Sequence, residues 1–419
     1  MVKQGYKQTE IGVIPEDWTV DTIDSVTLSV ATGGNYKNSI QRSPYPLIKM
    51  GNLSRGHINL NKIEYVIDSV PSEKDRLSYG DVLFNTRNTP ELVGKVAVWK
   101  NELPIAYFNS NLLRFNFNCE KSNPFFMNLI FNTKQVIAEF KNISKGTTSV
   151  AAIYPQDMLK VKIKIPPIQE QNRIAEALSD VDSMISSLEK LVAKKKAVKQ
   201  GAMQELLTGK KRLPGFTGEW KTINLSKKSK IKARIGWQGL TTNEYLDSGY
   251  SYLVTGTDFV SGKIDWDNCH YVAKDRFDQD KNIQIQNNDI LITKDGSLGK
   301  TALVKGLNKP ATLNSGVFVI RPIQESYDPT FVYYILSSFV FKDFLDHLSA
   351  GSTIIHLYQK DINKFEFLMP PTIEEQAAIA SILSDMDNEI EALEQKLAKT
   401  RQIKQGMMQQ LLTGKIRLV

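Results

Sequence analysis

Two short polar loops carry the side chains best suited to chemistry in this chain. Asn85-Thr86-Arg87-Asn88-Thr89 follows the run DVLF, Thr293-Lys294-Asp295-Gly296-Ser297 follows DILI, and each leads on to a Gly-Lys pair, Gly94-Lys95 or Gly299-Lys300. The first sets Arg87 among short amides and hydroxyls, and the second sets Lys294 beside a carboxyl and hydroxyls. Arg or Lys fits the O6 and N7 acceptors of guanine, and Asn fits the N6 and N7 edge of adenine. The chemistry expected of such loops is hydrogen-bonded reading of base edges, with a solvated hairpin turn as the plainer alternative for either loop alone. Arg87, Asn88, Thr89, Lys294, Asp295 and Ser297 lead the candidates. Others are Gly34, Tyr36 and Lys37 in GGNYK, then Lys49, Asn52 and Arg55, and in the second half Arg234, Trp237, Gln238, Thr255 and Thr257. Glycine lets backbone amides approach a phosphate, and aromatic rings stack or wedge.

Catalytic patterns are missing. Gly296-Ser297-Leu298-Gly299-Lys300-Thr301 resembles a phosphate loop but has two residues between its glycines where that loop needs four. The Pro-Pro pairs in IPPI and MPPT lack the Asn or Asp and the aromatic that would hold a base amine for methylation, and neither GxSxG nor HExxH occurs. Two cysteines, Cys119 and Cys269, and four scattered histidines offer no zinc spacing and no disulfide scaffold. A non-catalytic chain with no metal and no cofactor of its own is expected.

The loops need a frame, and an internal duplication supplies it. The segment that starts at Glu170, EQNRIAEALSDVDSMISSLEKLVAKKKAVKQGAMQELLTGKKRL, returns at Glu375, 205 residues later (375 − 170), with 25 of 44 positions identical. Weaker patches repeat at nearly the same shift: Asn109-Ser110 with Asn314-Ser315, and Ser144 to Thr148 with Ser349 to Thr353. Ile174, Leu178, Val181, Ile185, Leu188 and Val192 in one copy, and Ile379, Leu383, Met386, Ile390, Leu393 and Leu397 in the other, step by fours and threes, the seam of a coiled coil. Pro166-Pro167 and Pro370-Pro371 precede the helices, Thr372 with Glu375 makes a capping box, and Gly209 or Gly414 suits the left-handed stop. Between the helices, VAVW, LLRFNF, DILIT and GVFVI read as strands, while residues 124–142 and 329–348 read as amphipathic helices. Trp18 and Trp220 are expected to plug the domain cores, and the Lys194-Lys195-Lys196 run to be a solvated face with phosphate contact as the alternative. Gly201 and Gly406, at matching helix positions, suggest close approach of another helix or shared ancestry alone.

The expected fold is α+β: two globular domains, residues 1–165 and 213–369, joined by long antiparallel coiled-coil helices, 166–212 and 370–419. Because the tail LTGKIRLV matches the stretch that leads into the second domain, circular pseudo-twofold symmetry with neighbouring termini follows. At 419 residues and 41% hydrophobic content, cores of this kind need no staples. The net charge of +8 permits a polyanionic partner without requiring one, and residues 1–212 carry the excess. No apolar opening and no run of about 18 apolar residues occurs, so a cytoplasmic protein with no membrane partner is expected.

Across essentially the whole chain this layout resembles the specificity (S) subunit of type I restriction-modification systems: variable domain, PPxxEQ-type helix ending in LLTGK, then both again. The resemblance implies that each variable domain is a target-recognition domain reading one half of a bipartite site in double-stranded DNA. It implies two modification subunits docked on the helices, which bring S-adenosylmethionine and methylate adenine at N6. Restriction subunits that use Mg and ATP would cleave distant DNA. Glu170 to Leu207 spans roughly 57 Å at about 1.5 Å per residue, enough for half-sites one helical turn apart (about 34 to 36 Å) but not for two. A freestanding, internally duplicated DNA-binding regulator and a coiled-coil scaffold without nucleic acid are the competing readings.

Overall fold

A computed structural model describes residues 4–147, 149–349 and 356–419, with the backbone alone at Trp237 and Ser349. The chain forms two compact units, Met1–Leu188 with Lys396–Val419, and Glu189–Gln395.

The first unit uses strands β1 (Thr27–Thr32), β2 (Pro46–Ile48), β3 (Val82–Asn85), β4 (Arg87–Asn88), β5 (Val96–Val98), β6 (Tyr107–Phe108), β7 (Leu112–Phe117), β8 (Lys145–Gly146) and β9 (Ala151–Ala152). Its helices are α1 (Pro124–Phe131), α2 (Lys134–Asn142) and the first half of α3 (Ile168–Leu206). An antiparallel sheet runs β5-β3-β7-β1, β2 pairs with β6 in parallel, and β8-β9-β4 forms a small third sheet. The second unit repeats the plan with β10 (Ser229–Ala233), β11 (Ser251–Val254), β12 (Ile290–Thr293), β13 (Thr301–Leu303), β14 (Ala311–Leu313) and β15 (Val317–Pro322), and with α4 (Pro329–Leu336), α5 (Phe339–Ser349) and α6 (Ile373–Leu411). Its main sheet runs β13-β12-β15-β10 and its parallel pair is β11 with β14, the same order and sense as in the first unit. The mixed α+β class is as expected.

Period-two patterning explains why the central strands are apolar throughout. Val82 and Phe84 of β3 join the core beneath α1 and α2, while Leu83 faces a second core with Ala97 and Leu112. In β12, Ile290 and Ile292 pack under α4 and α5, and Leu291 faces the opposite core with Ala302 and Val319. Each expected amphipathic helix is in fact two. Asn132 and Thr133 divide the first, where the Thr133 hydroxyl caps α2, and Ser337-Ser338 divides the second. Pro124 and Pro329 open α1 and α4 behind Asn123 and Asp328, whose side chains accept from first-turn amides.

The long helices contribute to both units. In the first unit Ile174, Leu178 and Leu188 are buried with Val181 and Ile185 half-buried; in the second Val192, Ile379, Leu383 and Ile390 are buried with Met386 and Leu393 half-buried. Leu397 is half-buried in the first. Full burial of such a side chain contributes about 1.5–3 kcal/mol. The two helices are antiparallel within each unit, and one ion pair recurs at the repeat shift: Asp182 with Lys404 in the first unit (2.5 Å), Asp387 with Lys199 in the second (2.5 Å). Lys195 and Lys196 pair with Glu389 and Glu394, so two of the three lysines in that run are engaged by the neighbouring helix. Gly209 (φ +70°) and Gly414 (φ +72°) take the left-handed stop as the sequence requires. Thr372 accepts from the Glu375 amide at 3.3 Å, but the Glu375 carboxylate turns to Arg212 and Trp220, so half of the expected capping box forms. A Cβ at Gly201 or Gly406 would meet nothing within 4 Å, so among the described residues no helix packs against either glycine. Among the described residues no helix is long and apolar enough to cross a membrane.

Candidate nucleic-acid interface

Both polar loops leave the central strand of their sheet inside the same hydrogen-bonded frame. In the first unit, the Asn85 amide donates to Lys95 O (2.9 Å), Gly94 to Asn85 O (3.0 Å), Thr86 to Asn111 O (3.3 Å) and Ile153 to Thr86 O (2.9 Å). In the second, Thr293 donates to Lys300 O (2.9 Å), Gly299 to Thr293 O (3.0 Å), Lys294 to Gly316 O (2.9 Å) and Leu357 to Lys294 O (3.0 Å). Asn85 therefore corresponds to Thr293, Thr86 to Lys294 and Arg87 to Asp295. The loops differ in length, with eight residues between Asn85 and Gly94 and five between Thr293 and Gly299. Thr148 and residues 350–353 of the sequence match lie outside the described residues.

Arg87 is exposed on β4, and its guanidinium has no hydrogen-bond or ion-pair partner among the described residues. Asn88 is half-buried, and its side chain accepts from the Thr89 amide. Arg55 reaches the same loop, with Nη1 3.5 Å from Gly94 O, and burial without a nearby carboxylate lowers its pKa. In the second unit Asp295 and Ser297 are exposed, and Lys294 is half-buried over the Phe318 ring at 5.2 Å, where burial pushes its ammonium down. His356 Nδ1 contacts Asp295 Oδ1.

Other candidates have internal tasks. The Tyr36 hydroxyl donates to Asp75 and accepts from the Ser72 amide, and Lys37 pairs with Asp68. Gly33, beside Gly34, is pressed so closely on Phe108 O that a Cβ would lie 2.1 Å from it. Lys49 bonds Asn38 and Glu64, while buried Asn52 caps the Lys49 amide (2.9 Å) and donates to Asn59 O. The same turn recurs where Thr255, buried, has its amide capped by Asp258 (2.7 Å) and Thr257 stays exposed. Arg234 is 2% exposed and spends its donors on Leu313 O, Thr312 and Gln238 O; Gln238 is itself buried. Those that are buried, Asn52, Thr255, Arg234 and Gln238, shape the loops from within, because a buried group already paired gains little by exchanging partners, whereas Lys37 and Thr257 stay exposed. The Trp237 side chain lies outside the described ones.

The duplication of the chain is matched by comparison with known proteins. A family model for the type I restriction modification DNA specificity domain fits residues 15–200 and again 238–402. The chain belongs to that family. It is 28% identical to the putative type I restriction enzyme MjaX specificity subunit of Methanocaldococcus jannaschii over 427 residues, covering 99% of this chain and 97% of the relative. The type I restriction enzyme EcoKI specificity subunit of Escherichia coli is 22% identical, with 97% and 90% covered. The type I restriction-modification S subunit from M. genitalium shares the fold at a TM-score of 0.60 and 16% identity, over 94% of this chain and 96% of that one.

Within this specificity-family frame, one feature escaped the sequence reading. Glu170, 2% exposed, accepts from Trp18 Nε1 (2.8 Å) and from Arg417 Nε and Nη2 (both 2.8 Å), and Arg417 also reaches Asp17 (2.6 Å). In the second unit Glu375 accepts from Arg212 Nε (2.7 Å) and Nη2 (2.8 Å) and from Trp220 Nε1 (3.4 Å). Gln171 and Gln376 complete each clamp, accepting from the Asn123 or Asp328 amide and donating to Pro166 O or Pro370 O. Each clamp joins the start of one long helix, the tail of the other and the domain's tryptophan. In the first unit Tyr6 Oη also donates to Gly414 O at 2.9 Å, beside the clamp. The available signal was the Arg of KKRL and KIRL, repeated at the shift that relates the two glutamates.

Proposed function

We propose that this chain reads a bipartite, asymmetric DNA site as the specificity subunit of a type I restriction-modification complex. Residues 1–165 and 213–369 act as target-recognition domains, one for each half-site, and the half-sites lie about one helical turn apart. Residues 166–212 and 370–419 supply the helices on which two modification subunits assemble. Adenine N6 methylation, with S-adenosylmethionine, and cleavage by restriction subunits, with Mg and ATP, belong to those partners.

The observation that carries this reading is the repeated loop frame, identical in its hydrogen bonds and different in the side chains it exposes. A reader of two unlike half-sites needs a constant mount and variable contacts. Family membership supports DNA recognition and assembly with restriction-modification subunits. The test is single-molecule sequencing of N6-methyladenine in cells that carry or lack this chain. The expected result is an interrupted, non-palindromic motif of fixed spacing that disappears with the chain; a continuous or palindromic motif would refute it.

A further inference from the structure

Resting on that recognition reading, the matched frames say more about what each half-site contains. Arg87 and Asp295 occupy the same position: each is the second residue after the strand residue whose amide bonds the Gly-Lys lysine carbonyl. Each immediately follows a carbonyl that accepts from the 153 or 357 amide. Both are exposed, and neither side chain is needed to hold its loop, which is closed by backbone bonds. Their hydrogen-bonding polarity is opposite. A guanidinium only donates, and its fork matches guanine O6 and N7; an ionised carboxylate only accepts, and its major-groove match is the cytosine N4 amino group.

We propose that Arg87 and Asp295 are one reading position of inverted polarity, so that the first domain selects guanine there and the second selects cytosine. His356 is the positioning residue for Asp295. Its Nδ1 holds Oδ1, which leaves Oδ2, without a hydrogen-bond partner among the described residues, as the free acceptor. With His356 32% and Asp295 48% exposed, the pair stands at the surface, where a base edge has access. Among the described residues Arg87 has no counterpart to His356, and its place is set by β4 pairing with β9. Lys294 is the lesser reader, because its ammonium is drawn back over Phe318.

The test is selection of double-stranded DNA from a randomised pool by the full-length chain together with the subunits that co-purify with it. Wild type is expected to enrich an interrupted motif with a specified G·C pair in each half. Arg87→Ala should erase the guanine preference at one position of one half, with about a 5- to 150-fold loss of discrimination. Asp295→Asn should move one position of the other half from cytosine toward adenine. His356→Ala should relax that same position, and His356→Asn, which keeps a donor near the Nδ1 site, should restore it; a merely structural histidine would lower binding to all sequences alike. A wild-type motif whose base preferences survive both substitutions, or change in one half for both, overturns this inference and leaves the recognition reading standing. Failure of wild type to enrich any motif overturns the recognition reading and this inference with it.

Discussion

Replacing Glu170 with Gln keeps the shape of the first clamp and removes its charge. The carboxylate accepts three bonds at 2.8 Å, from Trp18 Nε1 and from Nε and Nη2 of Arg417, and takes a longer one from the Leu418 amide at 3.3 Å. A hydrogen bond to a charged group contributes about 1.5–3 kcal/mol against about 0.5–1.5 for a neutral one, so neutralisation forfeits about 1 kcal/mol per short bond. Gln also turns an N–H toward a donor. In the opposite direction, the Arg417 side chain is 22% exposed and keeps Asp17 as a partner, which lets water and a second carboxylate take up part of the loss. The net expectation is about 2–3 kcal/mol of destabilisation, below the about 3–5 of a fully buried orphaned charge.

For a unit of this size, at roughly 2–4 °C per kcal/mol, that corresponds to a melting shift of about 4–12 °C. Calorimetry of the full chain should show it for Glu170→Gln, and a similar one for Glu375→Gln, since Glu375 is 0% exposed and meets Arg212 and Trp220 in the same way. Combining Glu170→Gln with Arg417→Met should recover part of the loss, because no lone cation then remains against the core. A Glu170→Gln change smaller than about 0.5 kcal/mol would show that the carboxylate acts as a spacer, and the charge argument would fail.

A circular permutant that opens between Leu213 and Pro214 and joins Val419 to Met1 should fold and melt like the parent, because Arg212-Leu213 then ends the chain as Arg417-Leu418 does now; an insoluble product speaks against the circular arrangement. Gly201→Ala and Gly406→Ala should each stabilise the isolated chain by up to about 1 kcal/mol in thermal melts, since the added Cβ meets nothing and helix propensity improves; a lower melting point would reveal an unrecognised contact. The Arg417 hydrogen bond holds the Asp17 carboxyl below its ordinary 3.8, so its contribution is complete above that value and fades as the pH falls through the folded-state value. Asp17→Asn should therefore lower the melting temperature at pH 6 and leave it unchanged near pH 2; equal shifts at both would assign the effect to packing.

What the sequence revealed and what it hid divide along a physical line. The seam, the helix stops at Gly209 and Gly414 and the paired loops are local patterns: periodicity, a φ requirement and a strand followed by polar residues, each visible within a dozen positions. The clamps are not local, since Glu170 and Arg417 stand 247 residues apart and meet only when the two long helices lie antiparallel. Composition also failed to separate loops whose polar groups stay unspent from loops that brace inward. Lys49 with Asn52 and Thr255 with Asp258 have the residue types of a base-contacting loop, yet both are capping turns whose polar atoms are consumed at the start of a 3₁₀ turn. Arg234 was the extreme case, a cation with a recognition residue's chemistry that is buried because backbone and side-chain oxygens on β14 supply its acceptors. Charge type therefore identifies a reader only when the frame shows that its donors are unspent. Arg87 meets that condition in the first unit, and in the second the matching position carries the Asp295 carboxylate, the pair for which opposite base preferences are proposed.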